Sequence, residues 1–236
     1  MFLRLSSLGQ IGRPNQQWQR IRAECLLHAM PFQGAQCTKG LSRLAFPGPL
    51  HAGSGCRRDQ MNSAPGFPTV AKILEAHAKE LGDDHLAYLN HVSRVLLFYQ
   101  ALAGDCPQSV LVAAAFHDLG IWSDRTFDYL APSVNLARDY LQSSSSLSLV
   151  PEVEAIIVNH HKLRPYRGAF LASVETLRKA DLVDVSLGAV RYSLSSKFVR
   201  QTKAELPNAG FHRRLLQLTG RQSLRTPLRP LPMVRW

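Results

Sequence analysis

Four polar side chains interrupt segments of this chain that are otherwise strongly apolar. His91 and Asp181 each occupy an inner position of an amphipathic helical pattern, and His117 and Asp118 end the apolar run from Val110 to Phe116. An unpaired charge buried in a protein costs several kcal/mol and needs a partner or a metal. Two imidazole nitrogens and two carboxylate oxygens suit a divalent cation of borderline or hard character, with coordination positions left for water.

Each of these residues also has an ordinary structural interpretation when it is taken alone. A single His on an apolar face is more often a hydrogen-bonded core residue than a ligand. Asp181 can equally pair with Arg178 or Lys179 on its own helix. The metal interpretation depends on the set, because a compact bundle would bring the three helices together. Consecutive helical side chains diverge by about 100°, so His117 and Asp118 can reach one ion only if it lies beyond the helix end or against its edge. They meet this condition because they stand at a helix C-terminus.

Helical periodicity begins near residue 69 and predicts the elements that position these residues. No segment alternates with a period of two, so we predict an all-α fold, a compact bundle of about six to eight helices. The run from Val110 to Phe116 is apolar on every side and predicts a central, buried helix. The predicted helices cover residues 70–81, 86–99, 107–116, 132–143, 151–160 and 171–187, with two shorter ones over 192–204 and 211–218.

The order and spacing of the four polar residues resemble those of the HD-domain metal-dependent phosphohydrolases. His117 follows His91 by 26 positions, and Asp181 follows Asp118 by 63. The likeness covers roughly residues 70–215, and it implies an HD-type helical bundle in which these four residues ligate the metal. The segments that carry it are Asn90–Val95, Ala114–Gly120 and Arg178–Asp184.

Two further segments, Trp122–Ser133 and Leu206–His212, look like those of a subgroup of that superfamily whose substrate is unsettled. The resemblance implies a phosphohydrolase that acts on a small phosphorylated or nucleotide-like substrate through a metal-activated water. It implies one divalent ion, and Mn, Mg, Co, Fe and Zn are all compatible with these ligands.

A second group of polar residues follows the helix predicted over 151–160. We predict that His160 and His161 are catalytic, because an imidazole there can give a hydrogen bond or a proton to a leaving oxygen. Lys162 and Arg164 are predicted to bind the substrate phosphate. The alternative is that one His packs in the core and the other is solvated, while Lys162 and Arg164 only interact favourably with the helix macrodipole at its C-terminus.

Two acidic residues outside the set of four also have candidate roles. Asp128 lies in the predicted loop after the His117-Asp118 pair, and we predict that it is a general base or a carboxylate that orients a ligand. It can equally be a turn residue. Asp184 is interpreted as a capping or surface residue.

Three other functions stay open at this point. Some members of the superfamily hold two irons through additional His ligands and cleave carbon bonds with dioxygen, and others act as lyases or hydratases on small nitrogen compounds. The adjacency of His160 and His161 favours one metal, because a second ion would lack an expected ligand. Outside the enzyme class, a degenerate HD binding module would contact nucleic acid through its basic C-terminal residues.

The positive charge is concentrated at the two ends of the sequence. The 236 residues carry 28 Lys and Arg against 17 Asp and Glu, a net charge of +11. Residues 1–60 hold 8 basic and 2 acidic side chains, residues 61–190 hold 10 and 14, and residues 191–236 hold 10 and 1. The C-terminal arginines are singly spaced with few aromatics between them, so we expect a small-molecule substrate and no nucleic-acid partner.

The composition divides the chain into three parts. Residues 1–65 contain clusters of Gly and Pro, and we predict a disordered leader or a mis-assigned start, with Met61 as the alternative start. An organelle transit peptide in residues 1–60 is a further interpretation, since the segment is Arg-bearing and acid-poor. Residues 66–220 are predicted to form the HD domain, and residues 221–236 a basic, Pro-containing tail.

Cysteine usage and hydropathy indicate the compartment. The four cysteines, at positions 25, 37, 56 and 106, form no C-x-x-C pair, so we expect a reducing environment. No run approaches the roughly 20 apolar residues of a membrane-spanning helix. The sequence therefore predicts a cytoplasmic protein with no membrane partner, and it gives no indication of oligomeric state.

Overall fold

A computed structural model of the chain describes residues 67–228 and 231–234. This part contains eight helices of nine or more residues, two helices of four residues and no β-strand, which confirms the predicted all-α fold. Residues 1–65, for which a leader or mis-assigned start is predicted, lie outside the described residues. The helices are α1 (Phe67–Ala76), α2 (Ala78–Leu81), α3 (His85–Ala103), α4 (Gln108–Phe116), α5 (Gly120–Ser123), α6 (Leu130–Ser143), α7 (Val150–Asn159), α8 (Leu171–Val185), α9 (Ser196–Glu205) and α10 (Phe211–Arg225).

Helix α4 lies at the centre of the bundle. Every residue from Ser109 to Phe116 is buried, as expected for a helix that is apolar on all sides. It packs against α1, α3, α6 and α7. Three consecutive alanines, Ala113 to Ala115, allow these neighbours to approach closely. The prediction of a central helix is confirmed, and its C-terminal end therefore lies deep in the protein.

Contacts of α3, α7 and α8 complete the surroundings of the C-terminal end of α4. Helices α3 and α8 pack along each other, and α7 packs against α4, α6 and α8. The inner faces of α3 and α8 and the C-terminal ends of α4 and α7 consequently meet in one region. This is where the polar residues singled out in the sequence come together.

The observed helices differ from the predicted ones at three points. The pattern over 70–81 is divided at His77 into α1 and α2, and the last helix continues to Arg225. The residues after the His117-Asp118 pair form the short helix α5, which begins at Gly120. A Cβ on Gly120 would lie 2.6 Å from the carbonyl oxygen of Tyr129, so only glycine permits this close approach of the two segments.

The C-terminal residues remain in contact with the bundle beyond α10. Met233 is buried and belongs to the hydrophobic core. None of the described helices is both long and apolar enough to cross a bilayer.

Candidate metal centre

Helix α3 contributes His91, whose orientation is fixed by a buried ion pair. His91 Nδ1 lies 2.8 Å from Asp184 Oδ2. The same carboxylate accepts hydrogen bonds from Arg94 Nε at 2.6 Å and Arg94 Nη2 at 2.8 Å. Burial alone would raise the pKa of Asp184, but the hydrogen bonds from His91 and Arg94 hold it well below its ordinary value. Asp184 is therefore ionised, the proton of His91 is on Nδ1, and the Nε2 lone pair is free.

Helices α4 and α7 each end at a His that is fixed by a backbone carbonyl. His117 Nδ1 lies 2.7 Å from the carbonyl oxygen of Ala114, and His160 Nδ1 lies 2.6 Å from that of Ile157. A carbonyl accepts only, so both rings donate from Nδ1. Burial lowers the pKa of His117 to about 3, so this imidazole is neutral and keeps a lone pair on Nε2. Burial would also lower the pKa of His160, but the neighbouring Asp118 carboxylate raises it above the ordinary value. Both helix ends thus aim an Nε2 atom at the same space.

The Nε2 atoms of three imidazoles meet in this space. His91 Nε2 and His117 Nε2 are 3.1 Å apart, although both nitrogens are acceptors in the tautomers set by Asp184 and Ala114. His160 Nε2 is buried and has no hydrogen-bond partner among the described residues. Lone pairs that face each other in a dry interior require a cation or a proton between them. This arrangement is what a bound metal ion resolves.

Two carboxylates complete the cluster. Asp118 Oδ2 lies 3.5 Å from His117 Nε2, and Asp181 Oδ1 lies 3.5 Å from His91 Nε2. Asp118 Oδ1 is 3.3 Å from His160 Nε2, yet within the described part of the chain neither this oxygen nor Asp181 Oδ1 accepts a hydrogen bond. Unsatisfied, buried carboxylate oxygens beside imidazole lone pairs fit a divalent cation.

The two carboxylates also differ in pKa without a metal. Burial raises the pKa of Asp181 to about 6. Burial would also raise that of Asp118, but the imidazoles of His117 and His160 outweigh it and hold the pKa well below the ordinary value. Two carboxylates that share a buried site cannot both ionise cheaply. A cation would supply the compensating charge, so the residues fit the implied metal.

His161 stands at the edge of the cluster. Its side chain is 22% exposed, whereas those of His91 and His117 are fully buried. Tyr129 Oη lies 2.7 Å from His161 Nε2. Burial and the charge of Asp118 raise the pKa of Tyr129 well above its ordinary value, so the phenol keeps its proton, which it can donate to this nitrogen or to the Asp118 carboxylate. His161 Nδ1 lies 3.9 Å from Asp181 Oδ2, and it carries the proton of the neutral ring when the phenol donates to Nε2.

The start of α10 supports the cluster from the side of His91. The ring of Phe211 stacks on the ring of His91 with centroids 4.0 Å apart. His212 Nε2 lies 3.0 Å from the backbone oxygen of Asp184, to which it can donate. Arg94 Nη1 donates to the carbonyl oxygen of Leu206 at 2.9 Å. The segment from Leu206 to His212 therefore holds both His91 and its ion pair in place.

The sequence-predicted metal residues come together, and the other predicted residues lie at different distances from them. His91, His117, Asp118 and Asp181 form the cluster, with His160 and His161 beside them. Two groups have ligand atoms close enough to share one ion, and both contain Asp118: His91, His117 and Asp118, and Asp118, His160 and His161.

The remaining predicted residues lie outside the cluster. Asp128 is exposed, and its backbone N–H donates to Thr126 Oγ1; within the described residues its carboxylate does not reach the cluster. Arg164 is exposed and Lys162 is half-buried, in the loop directly after His161. The carbonyl oxygen of Lys162 accepts a hydrogen bond from Arg178 Nη1 at 3.2 Å. Arg178 forms an ion pair with Glu175 and not with Asp181, whose carboxylate lies beside His91 in the cluster.

Sequence reasoning missed the residues that support the cluster. Asp184 is not a capping or surface residue, since it is fully buried between His91 and Arg94. The signal was present as a spacing: Arg94 follows His91 by three positions and Asp184 follows Asp181 by three. Residues three apart share a helix face, so each supporting residue lies on the face of its ligand. Tyr129 had no comparable signal, because it comes from a loop before α6.

The helical fold and the buried His/Asp cluster are compatible with the HD-like fold that the sequence resembles. A functional assignment for this chain depends on the chemistry of that cluster and of the residues around it. Comparison of the chain with protein-family models, with curated proteins and with solved structures finds no match.

Proposed function

We propose that this protein is an HD-type metal-dependent hydrolase that acts on a small phosphorylated or nucleotide-like substrate. The observation that carries the proposal is the convergence of imidazole lone pairs on buried carboxylate oxygens. His91 Nε2 and His117 Nε2 are 3.1 Å apart, and Asp118 Oδ1 and Asp181 Oδ1 have no hydrogen-bond partner among the described residues. Such a set is costly to bury unless a cation joins it.

In this proposal His91, His117, Asp118 and Asp181 hold one divalent ion. Mixed imidazole and carboxylate ligands favour Mn, Fe, Co or Zn over Mg, which prefers oxygen. When bound, the ion would polarise a phosphoryl oxygen and lower the pKa of a coordinated water. Asp184 and Arg94 keep the His91 lone pair directed at this position, because they fix the proton on Nδ1.

The exposed edge of the cluster is where the substrate would enter. His161 is the imidazole with a solvent-accessible side chain, and its Nδ1–H is directed by the hydrogen bond that Tyr129 makes to Nε2. It can therefore donate a hydrogen bond to a substrate oxygen that lies against Asp118 and Asp181. Burial and the neighbouring His160 lower the pKa of His161 well below its ordinary value, so the ring is neutral before substrate binds.

Lys162 and Arg164 follow His161 in the loop after α7. A phosphate that reaches His161 would lie within range of these flexible side chains, and Arg can bind two of its oxygens at once. We propose that they hold the nonreacting phosphate oxygens. The proposed substrate class, a small phosphorylated compound, thus follows from the cationic loop that lies beside the proposed metal centre.

The proposal is tested with full-length protein purified without chelator or His tag. We expect bound divalent metal by elemental analysis, and hydrolysis of at least one member of a phosphomonoester and nucleotide panel with Mn, Co or Mg added. The variant with His117→Ala and Asp118→Ala should lose both metal and activity. Asp139→Asn serves as the matched control, because it removes an exposed carboxylate from the surface of α6, and it should retain both.

Equal metal content in the double variant and the unaltered protein would contradict the metal centre. Circular dichroism of each variant separates loss of the site from loss of the fold. If metal is lost as expected and no panel member is hydrolysed, the hydrolase proposal fails while the metal centre stands.

One observation favours a second candidate function, an iron-dependent oxygenase. Asp118 Oδ1 lies 3.3 Å from His160 Nε2 and 3.9 Å from His161 Nε2, so a second ion could share Asp118 with the first. Adjacency in the sequence does not keep these two imidazoles apart, because both lie where α7 ends.

Metal stoichiometry and oxygen uptake distinguish the two candidates. Two irons per chain together with substrate-dependent oxygen consumption would support the oxygenase. One metal per chain with phosphate release supports the hydrolase.

A further inference from the structure

A second charged region lies on the other side of the aromatic layer that backs the metal cluster. It is a cleft of about 820 Å³ between α10 and the segment from Ile121 to Phe127. The ring of Trp122 lines the cleft and also packs on Tyr88, with centroids 4.9 Å apart. Tyr88 in turn packs against His91 and His117. The cleft is therefore near the metal residues but separated from them by two aromatic rings.

The cleft is lined by arginines that have no carboxylate partner among the described residues. Arg125, Arg213, Arg221 and Arg225 are exposed and line it, and none forms an ion pair with a residue of the described ranges. A fifth arginine, Arg214, is different, because its Nε lies 2.9 Å from Asp84 Oδ2. Four guanidinium groups that face one cavity repel each other unless an anion lies between them.

Three of these arginines lie along one helix. Arg213, Gln217, Arg221 and Arg225 follow each other at intervals of four residues and all line the cleft. Twelve residues of helix span about 18 Å, so this row is much longer than a single phosphate. The row also contains an amide that can donate to an anion. Its length fits an extended ligand with several negative groups.

The aromatic residues of the cleft do not offer a stacking surface. Trp122 and Phe127 are each only 6% exposed, and Trp122 Nε1 donates to Asp84 Oδ2 at 2.9 Å. A nucleobase would have no exposed ring to stack on in this cleft. Recognition would therefore depend on the charges of the ligand.

We propose that this arginine-lined cleft binds a linear run of linked phosphate groups, the chemistry that inorganic polyphosphate shares with the backbone of a single-stranded nucleic acid. Guanidinium groups bind phosphates with two hydrogen bonds each, and the row on α10 can contact several phosphates in sequence. The proposal is independent of the metal centre, because no residue of the cleft is a metal ligand.

Two carboxylates limit where the ligand lies. Glu80 and Asp83 also line the cleft and are exposed. They would repel a phosphate chain, so the ligand is expected to lie along the arginine row of α10. Replacing them, as Glu80→Gln with Asp83→Asn, should strengthen binding several-fold, because two like charges are removed.

The test is equilibrium binding of labelled single-stranded RNA and of inorganic polyphosphate to the full chain, measured by fluorescence anisotropy and by competition at several salt concentrations. The cleft variant carries Arg213→Gln, Arg221→Gln and Arg225→Gln. The matched control carries Lys72→Gln, Lys197→Gln and Arg200→Gln, which remove the same charge from exposed positions outside the cleft. Inorganic phosphate is the third ligand, since it lacks the linked chain.

We expect the cleft variant to bind at least about tenfold more weakly than the control. Its slope of log affinity against log salt should be smaller by about 2, because three phosphate contacts at about 0.7 each are removed. Binding should persist in the His117→Ala, Asp118→Ala protein, so failure here and failure of the proposed hydrolase are distinguishable.

The sources of the ligand are separated by competition. If polyphosphate and RNA displace each other, linked phosphate alone is recognised; if one of them binds and the other does not, that one is the source, and both results support the proposal. Equal affinity of the cleft variant and the control would overturn it. Binding of inorganic phosphate as tightly as the chain forms would overturn it too, because a single anion would then suffice.

Discussion

The C-terminal ends of α4 and α7 use the same local arrangement but differ in the residue that follows. Each helix ends at a His whose Nδ1–H donates to a backbone carbonyl three residues earlier, at Ala114 or Ile157. The next residue is Asp118 in one case and His161 in the other. The Asp118 side chain is 4% exposed, whereas that of His161 is 22% exposed.

This difference distinguishes a side chain that could bind a metal, Asp118, from one that a substrate could reach, His161. Asp118 lies within 3.9 Å of four imidazoles, so the end of α4 provides charge at the centre of the cluster. The end of α7 places His160 in the interior and His161 where a substrate could reach it. In the proposed site the end of α4 would bind the metal, and the end of α7 would supply one residue to the metal cluster and one to the substrate entrance. Substitutions at the two ends should have different consequences.

The largest effect is expected from Asp118→Ala. Asp118 belongs to both groups of candidate ligands, so its loss should reduce bound metal to background even though every imidazole remains. Elemental analysis of protein purified without chelator measures this. A metal content equal to that of the Asp139→Asn control would mean that the end of α4 is not the centre of the site.

The next effect concerns His91, which is oriented by a carboxylate and not by a backbone carbonyl. Asp184→Ala leaves Arg94 buried and unpaired, which should lower the free energy of unfolding by about 3–5 kcal/mol. Loss of this orienting partner should also weaken metal binding by about 10–100-fold. Urea denaturation measures the first quantity, and metal titration of the folded protein measures the second.

Asp184→Asn provides the matched comparison, since it keeps one hydrogen-bond acceptor and nearly the same volume. It should lie between the alanine variant and the unaltered protein in both measurements. If metal affinity is unchanged while stability falls, Asp184 supports the fold only and has no role in directing His91.

A smaller effect, on catalysis and not on metal content, is expected from His161→Ala. If His161 serves the entrance, turnover of a panel substrate should fall by about 100-fold or more, as for loss of a general acid or base, while bound metal is unchanged. His160→Ala should instead lower metal content, because His160 Nε2 is buried against Asp118. Equal loss of metal in the His160→Ala and His161→Ala proteins would contradict the different roles proposed for these two residues.

The sequence predicts the candidate ligands of this site better than the residues that support them. His91, His117, Asp118 and Asp181 are polar interruptions of apolar helices, and such interruptions are visible in a sequence because burial makes them costly. The all-α fold and the central helix α4 can also be predicted from the sequence, because the apolar pattern is continuous. These features depend on local composition.

The supporting contacts depend on tertiary packing, which a pattern does not reveal. Asp184 appears as one more charged residue near a helix end until α3 and α8 are packed together and Arg94 meets it. The arginines of α10 are also misleading, since their single spacing is typical of a solvated surface. Only the fold brings them to one side of a cleft with Arg125.

The smallest effect is expected from Tyr129→Phe, which removes one hydroxyl and leaves the ring. The hydroxyl lies 2.7 Å from His161 Nε2, and in the proposed site it donates to this nitrogen and holds the proton of that imidazole on Nδ1. One hydrogen bond contributes about 0.5–1.5 kcal/mol, so turnover should fall by roughly 2- to 10-fold with metal content unchanged. In a His161→Ala background the same substitution should have no further effect on turnover, because the two residues would act through one contact. Additive losses would mean that Tyr129 acts on the substrate or on Asp118 directly, and the entrance would then include a second residue besides His161.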